Sequence, residues 1–543
     1  MSNAYFKVPQ PVNEPIKLYK PGSPEREELK NKLAELKSST IDIPIIIGGE
    51  EIRTGNTENI VVPHDHKHVL GIYHKAGTKE VNMAVEAALE AWRKWSVMPW
   101  EERVSVFLKA ADLLAGPWRA TVNAATMLGQ SKVAHQAEID SACELVDFFR
   151  FNSYFFSKLM EEQPYSPAGM WNRSEYRPLE GFIFAVTPFN FTSIAGNLPT
   201  APAIVGNVCL WKPASSAVYS AYHLMKLFEE AGLPKGVINF IPGSGAQVGT
   251  PVMSNPNLAG IHFTGSTAVF QNMWKVVGDN LQNMKYYPRI VGETGGKDFI
   301  FAHNSANVDA LVVAAIRGAF EFQGQKCSAA SRMYIPASIW GEFKKKYVAE
   351  VKKLKMGDVE DFTNFMAAVI DKNAFKSITE YIKYAKNASD AEIITGGGFD
   401  DSKGYFIEPT TIVTTNPKFK TMEEEIFGPV LTIYVYEDEK FDEALELCDT
   451  TSPYALTGAI WGKDREILAK MTKKLRDAAG NFYINDKPTA AVVGQQPFGG
   501  GRASGTNDKA GSGMNLLRWM TVRTIKETFD PPKQWGYPFM AEK

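Results

Sequence analysis

The spacing of apolar positions changes along the chain, and those changes predict its elements. Val81, Val85, Ala88, Ala91 and Trp92 recur at helical spacing, as do Val106, Leu108, Leu113 and Leu114, so Lys79 to about Phe156 is expected to be helical. Before it, Met1 to about Ser39 reads as an extended arm and a short charged helix. Ile41 to Ile47 and Ile60 to Val62 read as short strands. A proline-rich break spans Pro164 to Pro167. From Arg177 the pattern becomes strand, loop, helix: strands at Gly181 to Thr187, Val208 to Lys212, Val237 to Ile241 and Gly260 to Phe263, with helices at Ile194 to Val205 and Val218 to Ala231. The second helix is closed by Gly232 and Pro234, a helix-stop arrangement. Continuous apolar strands alternating with helices predict parallel βαβ units in a doubly wound sheet. A second α/β region, from about Thr294 to Gly480, shows strands at Phe299 to Phe301, Arg332 to Ile335, Glu392 to Ile394 and Leu431 to Tyr436. The tail is strand-like again at Thr521 to Lys526.

Length and charge narrow the class. A chain of 543 residues suggests roughly two to four domains. With 44% hydrophobic and 22% charged residues, its balance is that of a globular protein. The formal net charge of −2, without a basic stripe, argues against nucleic acid as a partner. The run Lys344-Lys345-Lys346 reads as a solvated helix face. No segment has the apolar length of a membrane span. The first thirty residues carry Glu14, Glu25, Glu27 and Glu28, too acidic for a transit peptide, so the expected location is cytoplasmic, or the mitochondrial matrix after loss of a targeting segment.

Four cysteines (Cys143, Cys209, Cys327, Cys448) stand far apart, which argues against a disulfide framework or a metal site and fits a reducing compartment. Cys143 and Cys448 fall in helical patterns and Cys209 in a strand, so all three read as small buried hydrophobes. Cys327 lies instead in a polar peptide, Gly324-Gln325-Lys326-Cys327-Ser328, where the neighbouring Lys and exposed amides would favour a thiolate. On this peptide alone an inert surface cysteine is an equally good reading.

Other peptides carry weaker signals. Glu293 beside Gly295-Gly296 could serve as a base in a partly apolar cleft, or could simply cap a turn. Thr187-Pro188-Phe189-Asn190 ends a strand, where ligands of open α/β sheets bind, and the Asn190 amide could steady a developing oxyanion. Lys212 ends the next strand and could hold ribose hydroxyls. Phe263-Thr264-Gly265-Ser266 opens a helix whose amides suit a pyrophosphate. Gly243-Ser244-Gly245 followed by Gly249 imitates a dinucleotide fingerprint with one residue too many, and reads as a loop.

In order and spacing, TPFN (187–190), WKP (211–213), FTGS (263–266), GETGGK (292–297), GQKCS (324–328) and EEIFGP (424–429) resemble the aldehyde dehydrogenase superfamily from about residue 40 onwards. The resemblance implies an α/β chain with a Rossmann-type NAD-binding domain (1–160 and 182–293), an α/β catalytic domain (294–500) and a β-flap oligomerisation segment with the tail (161–181 and 501–543). It makes Cys327 the nucleophile, Glu293 the general base, and Asn190 with the Cys327 N–H the oxyanion donors. Thr187, Lys212, Gly265, Ser266, Glu425 and Phe427 would face NAD.

EIDSACELVDFFRFN (138–152), FNFTSIAGNLP (189–199), QGQKCSAASR (323–332) and VVGQQPFGG (492–500) running into RASGTNDKAG (502–511) resemble the branch that oxidises L-glutamate γ-semialdehyde to glutamate. Another ω-semialdehyde, such as succinate semialdehyde, is the alternative. In that branch Ser328 and the loop Thr489-Ala490-Ala491 would anchor the substrate carboxylate, with Phe191 and Phe498 flanking its aliphatic part. Glu144 and Lys326 would form an ion pair shaping the cysteine loop. Ser215, where many superfamily members carry an acid, leaves NADP open. The flap segments imply at least a homodimer.

Overall fold

The computed structural model describes residues 4–542. Its frame is two seven-stranded sheets. In the first, Arg289–Glu293, Leu258–Thr264, Phe182–Val186, Cys209–Lys212 and Ile238–Phe240 run parallel, and Ile45–Ile47 and Glu50–Ile52 close one edge antiparallel. Every residue of Leu258–Thr264 is buried, as a parallel strand covered on both faces requires. The register pairs Val186 with both Phe263 and Lys212, and Thr264 with Glu293, so four strands end at one level. Lys212, Gly265 and Glu293 therefore share the carboxyl edge of this sheet, the edge where open α/β sheets bind ligands.

The second sheet orders Ala391–Thr395, Thr410–Thr414, Val430–Tyr436, Ala330–Pro336, Asp298–Ala302, Thr457–Trp461 and Asn481–Ile484, parallel except for its first strand. One hydrophobic cluster fills the first unit, including Phe184, Trp211 and Ile261. Two more cover the opposite faces of the second sheet, one around Phe299 and Phe301, the other around Ile300 and Met333. The turn from Glu293 to Asp298 joins the carboxyl edge of the first sheet to the amino edge of the second. The cysteine peptide enters the same seam just before Ala330–Pro336.

Most predicted elements are present, but the strands Glu50–Ile52, Arg289–Glu293, Thr410–Thr414, Thr457–Trp461 and Asn481–Ile484 were not predicted, and three further differences stand out. The strand Asp65–His74, which pairs with Ile41–Ile43 and Thr57–Val62, breaks alternation with His66, Lys67 and His68 and left no clear period. Glu138–Glu144 is a π-helical turn within the predicted helical region, a deviation that concentrates at functional sites. Gly243-Ser244-Gly245, read as a loop, ends in a helix: Gly245–Met253 starts there, with Ser244 Oγ accepting from the Gln247 amide at 3.2 Å. Lys344 and Lys346 lie on the exposed side of the helix Ala337–Val351. Met170–Pro178 and Met520–Thr528 form a nine-residue antiparallel ribbon that stands apart from both sheets.

Candidate active site

The cysteine peptide is held in an uncommon backbone. After the helix Val308–Phe320, residues Phe322, Gln323 and Gly324 take φ of 49°, 56° and 65°. The left-handed region costs a non-glycine residue roughly 1–2 kcal/mol, so neighbours must over-determine it. They do: the Gln323 side chain donates to Ser131 O at 3.0 Å and Ala368 O at 2.7 Å and accepts from the Ala367 amide at 3.0 Å. Gln325 Oε1 accepts from the Ile370 amide at 2.9 Å. Gly324 lies against the Gly428 carbonyl, where only a residue without Cβ fits. The reversal delivers Cys327, half-buried, to a cavity between the two sheets.

The glycine pair beside Glu293 has a similar steric reason. Side-chain atoms at Gly295 would strike the Glu425 carboxylate, and at Gly296 the Cys327 carbonyl. Glu425 is fixed there, accepting from the Gly296 amide at 2.8 Å. Glu293 accepts from the Gly500 amide at 3.1 Å, and burial holds its carboxyl well above the usual range against that bond and nearby Lys509. Asp298 accepts from the Thr457 amide at 2.6 Å, and burial raises its carboxyl too. These groups correct the expected thiolate. Burial first, then the carboxylates of Asp298, Glu293 and Glu425, push the Cys327 thiol well above its ordinary value. Lys326 does not offset them, because its ammonium pairs with Glu321 at 3.2 Å.

Opposite the cysteine, Asp140 on the π-helical turn accepts from the amides of Thr192 and Ser193 at 3.0 and 2.9 Å, capping the helix Thr192–Ile204. Asp140 is also bound at 2.6 Å by Lys132, whose ammonium lies 4.2 Å over the Phe191 ring and 4.3 Å over the Phe322 ring. This buried cluster sets Phe191 and Asn190 at the strand end. Asn190 Nδ2 donates to Gln325 O at 3.1 Å, so its amide is tied to the cysteine peptide with a second hydrogen to spare. Thr187 Oγ accepts from Trp211 Nε1 at 3.0 Å.

Cys327, Glu293, Ser328, Phe191, Ala490, Ala491 and Phe498 line one cavity of about 490 Å³, together with Glu144 and Lys326. Asn190 is buried and is not part of this lining. The expected Glu144–Lys326 ion pair is not formed. Lys326 turns to Glu321, and Glu144 sits with Asp140, its carboxyl pushed up to about 8 by burial and then by the Asp140 charge. The sequence reading also missed cavity residues that lie far apart in the chain: Asn13, Glu14, Asp147 and Lys487, and Thr489 as a hydroxyl, whose Oγ is buried without a partner. No local signal marks the first four. The arm that carries Asn13 has neither period nor motif.

At the strand ends the remaining polar groups suit a polyhydroxyl, phosphate-bearing ligand. Lys212 is buried with a single acceptor, Pro213 O at 3.1 Å, and burial lowers its ammonium to about 8. Ser266 caps the helix Thr267–Asn280, whose free amides face outwards beside Gly265. Phe427, with φ of 56°, packs edge-on to Phe189 at 5.7 Å next to Glu425. Among the described residues no cluster of three or more His, Cys, Asp or Glu could hold a metal ion, and no helix is long and apolar enough to cross a membrane.

Comparison with known proteins agrees with this geometry. Residues 52–525 match the model of the aldehyde dehydrogenase family. The chain is 55% identical over 542 residues to the mitochondrial delta-1-pyrroline-5-carboxylate dehydrogenase of Dictyostelium discoideum, covering 99% of this chain and 97% of that one. It is 47% identical over 530 residues to the human mitochondrial enzyme of the same name, covering 97% and 94%. The crystal structure of the Mycobacterium tuberculosis delta-pyrroline-5-carboxylate dehydrogenase superposes with a TM-score of 0.96 at 51% identity, covering all of both chains. The same enzyme bound with NAD gives 0.96 at 51%, covering 99% of this chain and 100% of that one. Cys327 and the half-buried Glu293 share one cavity at the carboxyl edge of the first sheet, and the match along nearly the whole length shows that this chain belongs to the aldehyde dehydrogenase family.

Proposed function

We propose that the chain oxidises L-glutamate γ-semialdehyde, the open form of 1-pyrroline-5-carboxylate, to L-glutamate with NAD, a step of proline breakdown. The observation that carries this reading is the cavity itself. Its lining brings together a sulfur and a base-type carboxyl with backbone, hydroxyl and ammonium-bearing residues. Ser328, the unpartnered Thr489 hydroxyl, the backbone of Ala490 and Ala491, and Lys487 suit a carboxylate. Phe191 and Phe498 suit the two methylenes between. Relatives named for this activity, about half identical along the full chain, support the same substrate.

Cys327 gives up its thiol proton to solvent in the cavity, which leaves Glu293 free for the later hydrolytic step. The sulfur bonds to the carbonyl carbon, and the oxygen that becomes negative is met by the Asn190 amide and the Cys327 N–H. Losing one such donor in another enzyme costs roughly 2.7–4 kcal/mol. Lys212, Ser266 and Gly265 would hold the dinucleotide's adenosine and pyrophosphate, with Thr187, Glu425 and Phe427 near its nicotinamide half. Bound there, oxidised NAD supplies the acceptor for the hydride that leaves the tetrahedral carbon. The thioester left on Cys327 is opened by water, whose proton Glu293 takes, and the carboxylic acid departs.

The division at residues 160, 182, 293 and 500 follows the same reading, supported by the separate sheets and cores. So does a homodimer or larger assembly built on the ribbon, whose Trp171 and Val522 are exposed, as is Phe529 just beyond it. A reducing compartment is supported by four free cysteines, and several eukaryotic relatives are named mitochondrial.

The test is NADH formation from glutamate semialdehyde and, separately, from succinate semialdehyde. A higher kcat/KM on the glutamate derivative is expected. Preference for succinate semialdehyde overturns the substrate, and preference for NADP overturns the cofactor.

A further inference from the structure

The N-terminal arm is built into the wall of the aldehyde cavity. Asn13, Glu14 and Ile16 line it, although nearly 300 residues or more separate them from Glu293, Cys327 and the loop 487–496. The Asn13 side chain is a three-way tie. Its Nδ2 donates to Asp147 Oδ2 and to Val493 O, both at 2.8 Å, and its Oδ1 accepts from Gln495 Nε2 at 2.8 Å. The arm is itself anchored. The Glu14 amide donates to Asp147 Oδ1 at 2.7 Å, and the Glu14 carboxylate is bound by Arg119 at 2.6 Å and Arg150 at 2.8 Å. Further along, the Lys17 amide and the Tyr19 hydroxyl donate to the buried Glu138 at 2.7 and 2.6 Å.

The loop 487–496 has few restraints of its own. Its internal bonds are Lys487 Nζ to Thr489 O, the Gln495 and Gln496 amides to Val492 O, and the Val492 amide to Gln496. Apart from the Lys487 amide, which donates to the adjacent Asp486 at 2.7 Å, its hydrogen bonds to other parts of the chain, among the described residues, go to Asn13, and Val493 packs into the core beside them. The same loop carries Thr489, Ala490 and Ala491, the proposed seat of the substrate carboxylate.

We infer that Asn13 is a positioning residue for substrate specificity: through Val493 and Gln495 it holds the carboxylate-binding loop at the distance from Cys327 that an amino-acid semialdehyde spans. The inference rests on the function proposed above. Removing the tie lets the loop drift while the sulfur, Glu293 and the strand-end groups stay in place. A substrate that uses the loop is then penalised, and one that does not is spared.

Asn13→Ala and Gln495→Ala are to be compared with the parent enzyme on glutamate semialdehyde and on propionaldehyde, which has no carboxylate. Displacements of about 1 Å cost up to on the order of a hundredfold. The tie being indirect, the expected result for Asn13→Ala is roughly a tenfold higher KM for glutamate semialdehyde, with kcat and the propionaldehyde kcat/KM within about twofold. Gln495→Ala, at an exposed residue that leaves the Asn13–Asp147 bond intact, is expected to move KM the same way by less. Equal loss on both aldehydes, or no change in KM on either variant, overturns the inference. A parent that does not prefer glutamate semialdehyde to propionaldehyde overturns the function reading instead, and the inference with it. If Asn13→Ala does not fold, Gln495→Ala decides alone.

Discussion

Replacing Gly324 by alanine tests whether the reversal before Cys327 places the sulfur. A Cβ at Gly324 would overlap the Gly428 carbonyl oxygen, stand 2.7 Å from its carbon and 2.9 Å from Ala319 O. Ordinary contact begins at 3.4 Å; clearing the carbon alone takes about 0.7 Å and the overlapped oxygen more, so the cysteine peptide or the turn at Gly428 must move by about 1 Å. The φ of 65° adds roughly 1–2 kcal/mol for an alanine, which the same displacement would relieve. A reacting atom shifted by about 1 Å can lose on the order of a hundredfold in rate, so a fall in kcat of roughly 30- to 100-fold is expected. The measurement is kcat for aldehyde oxidation together with thermal denaturation. Gly341→Ala serves as the control: it lies inside the helix Ala337–Val351 with open space around it and should raise stability slightly, by roughly 0.5–1 kcal/mol, with kcat unchanged. A folded Gly324→Ala enzyme with kcat within twofold of the parent would refute the reasoning.

Three further outcomes are expected. Glu293→Gln should leave hydride transfer faster than thioester hydrolysis, visible as a rapid burst of NADH before slow turnover; an unchanged steady rate removes Glu293 as the base. Alkylation of the ligand-free enzyme by iodoacetamide at Cys327, identified by its loss in Cys327→Ala, should keep rising with pH well past the ordinary thiol value, because burial and three carboxylates hold the proton on sulfur. Glu293→Gln should move that rise to lower pH, and a plateau near about 8.5 in the parent would contradict the electrostatics. Glu144→Gln should raise the melting temperature above pH 4.5, with the gain growing towards pH 8 and vanishing below the unfolded value. The folded carboxyl, raised to about 8, stays protonated there while the unfolded one ionises, so the stability lost with rising pH is lost only by Glu. A gain independent of pH would point to packing instead.

Several parallel strands were legible because burial on both faces leaves unbroken apolar runs such as GFIFAV and VCLW, whereas Arg289–Glu293, Thr457–Trp461 and Asn481–Ile484, shorter or broken by glycine and polar residues, were not. The chemical groups were legible through short peptides in register, Cys327 and Glu293 foremost. What stayed hidden depends on tertiary context. A thiol's proton affinity is set by carboxylates that arrive from other segments, Asp298 and Glu425, and by Lys326 turning to Glu321. Sequence adjacency of Lys326 and Cys327 pointed the wrong way because a side chain some six ångströms long chooses its own partner. The arm was opaque for a related reason: an extended segment whose bonds run to Asp147, Val493 and Glu138 has no period to read.

The reversal at Phe322 to Gly324 also bears on how the molecule comes together. Gln323 closes its bonds onto Ser131, near the first sheet in the chain, and onto Ala367 and Ala368, which come from the segment that builds the second sheet, so the nucleophile's loop is locked only once both stretches have come together. Assembly and chemical competence are thereby the same event: a half-built chain carries its sulfur on a slack tether, and only the finished seam aims it.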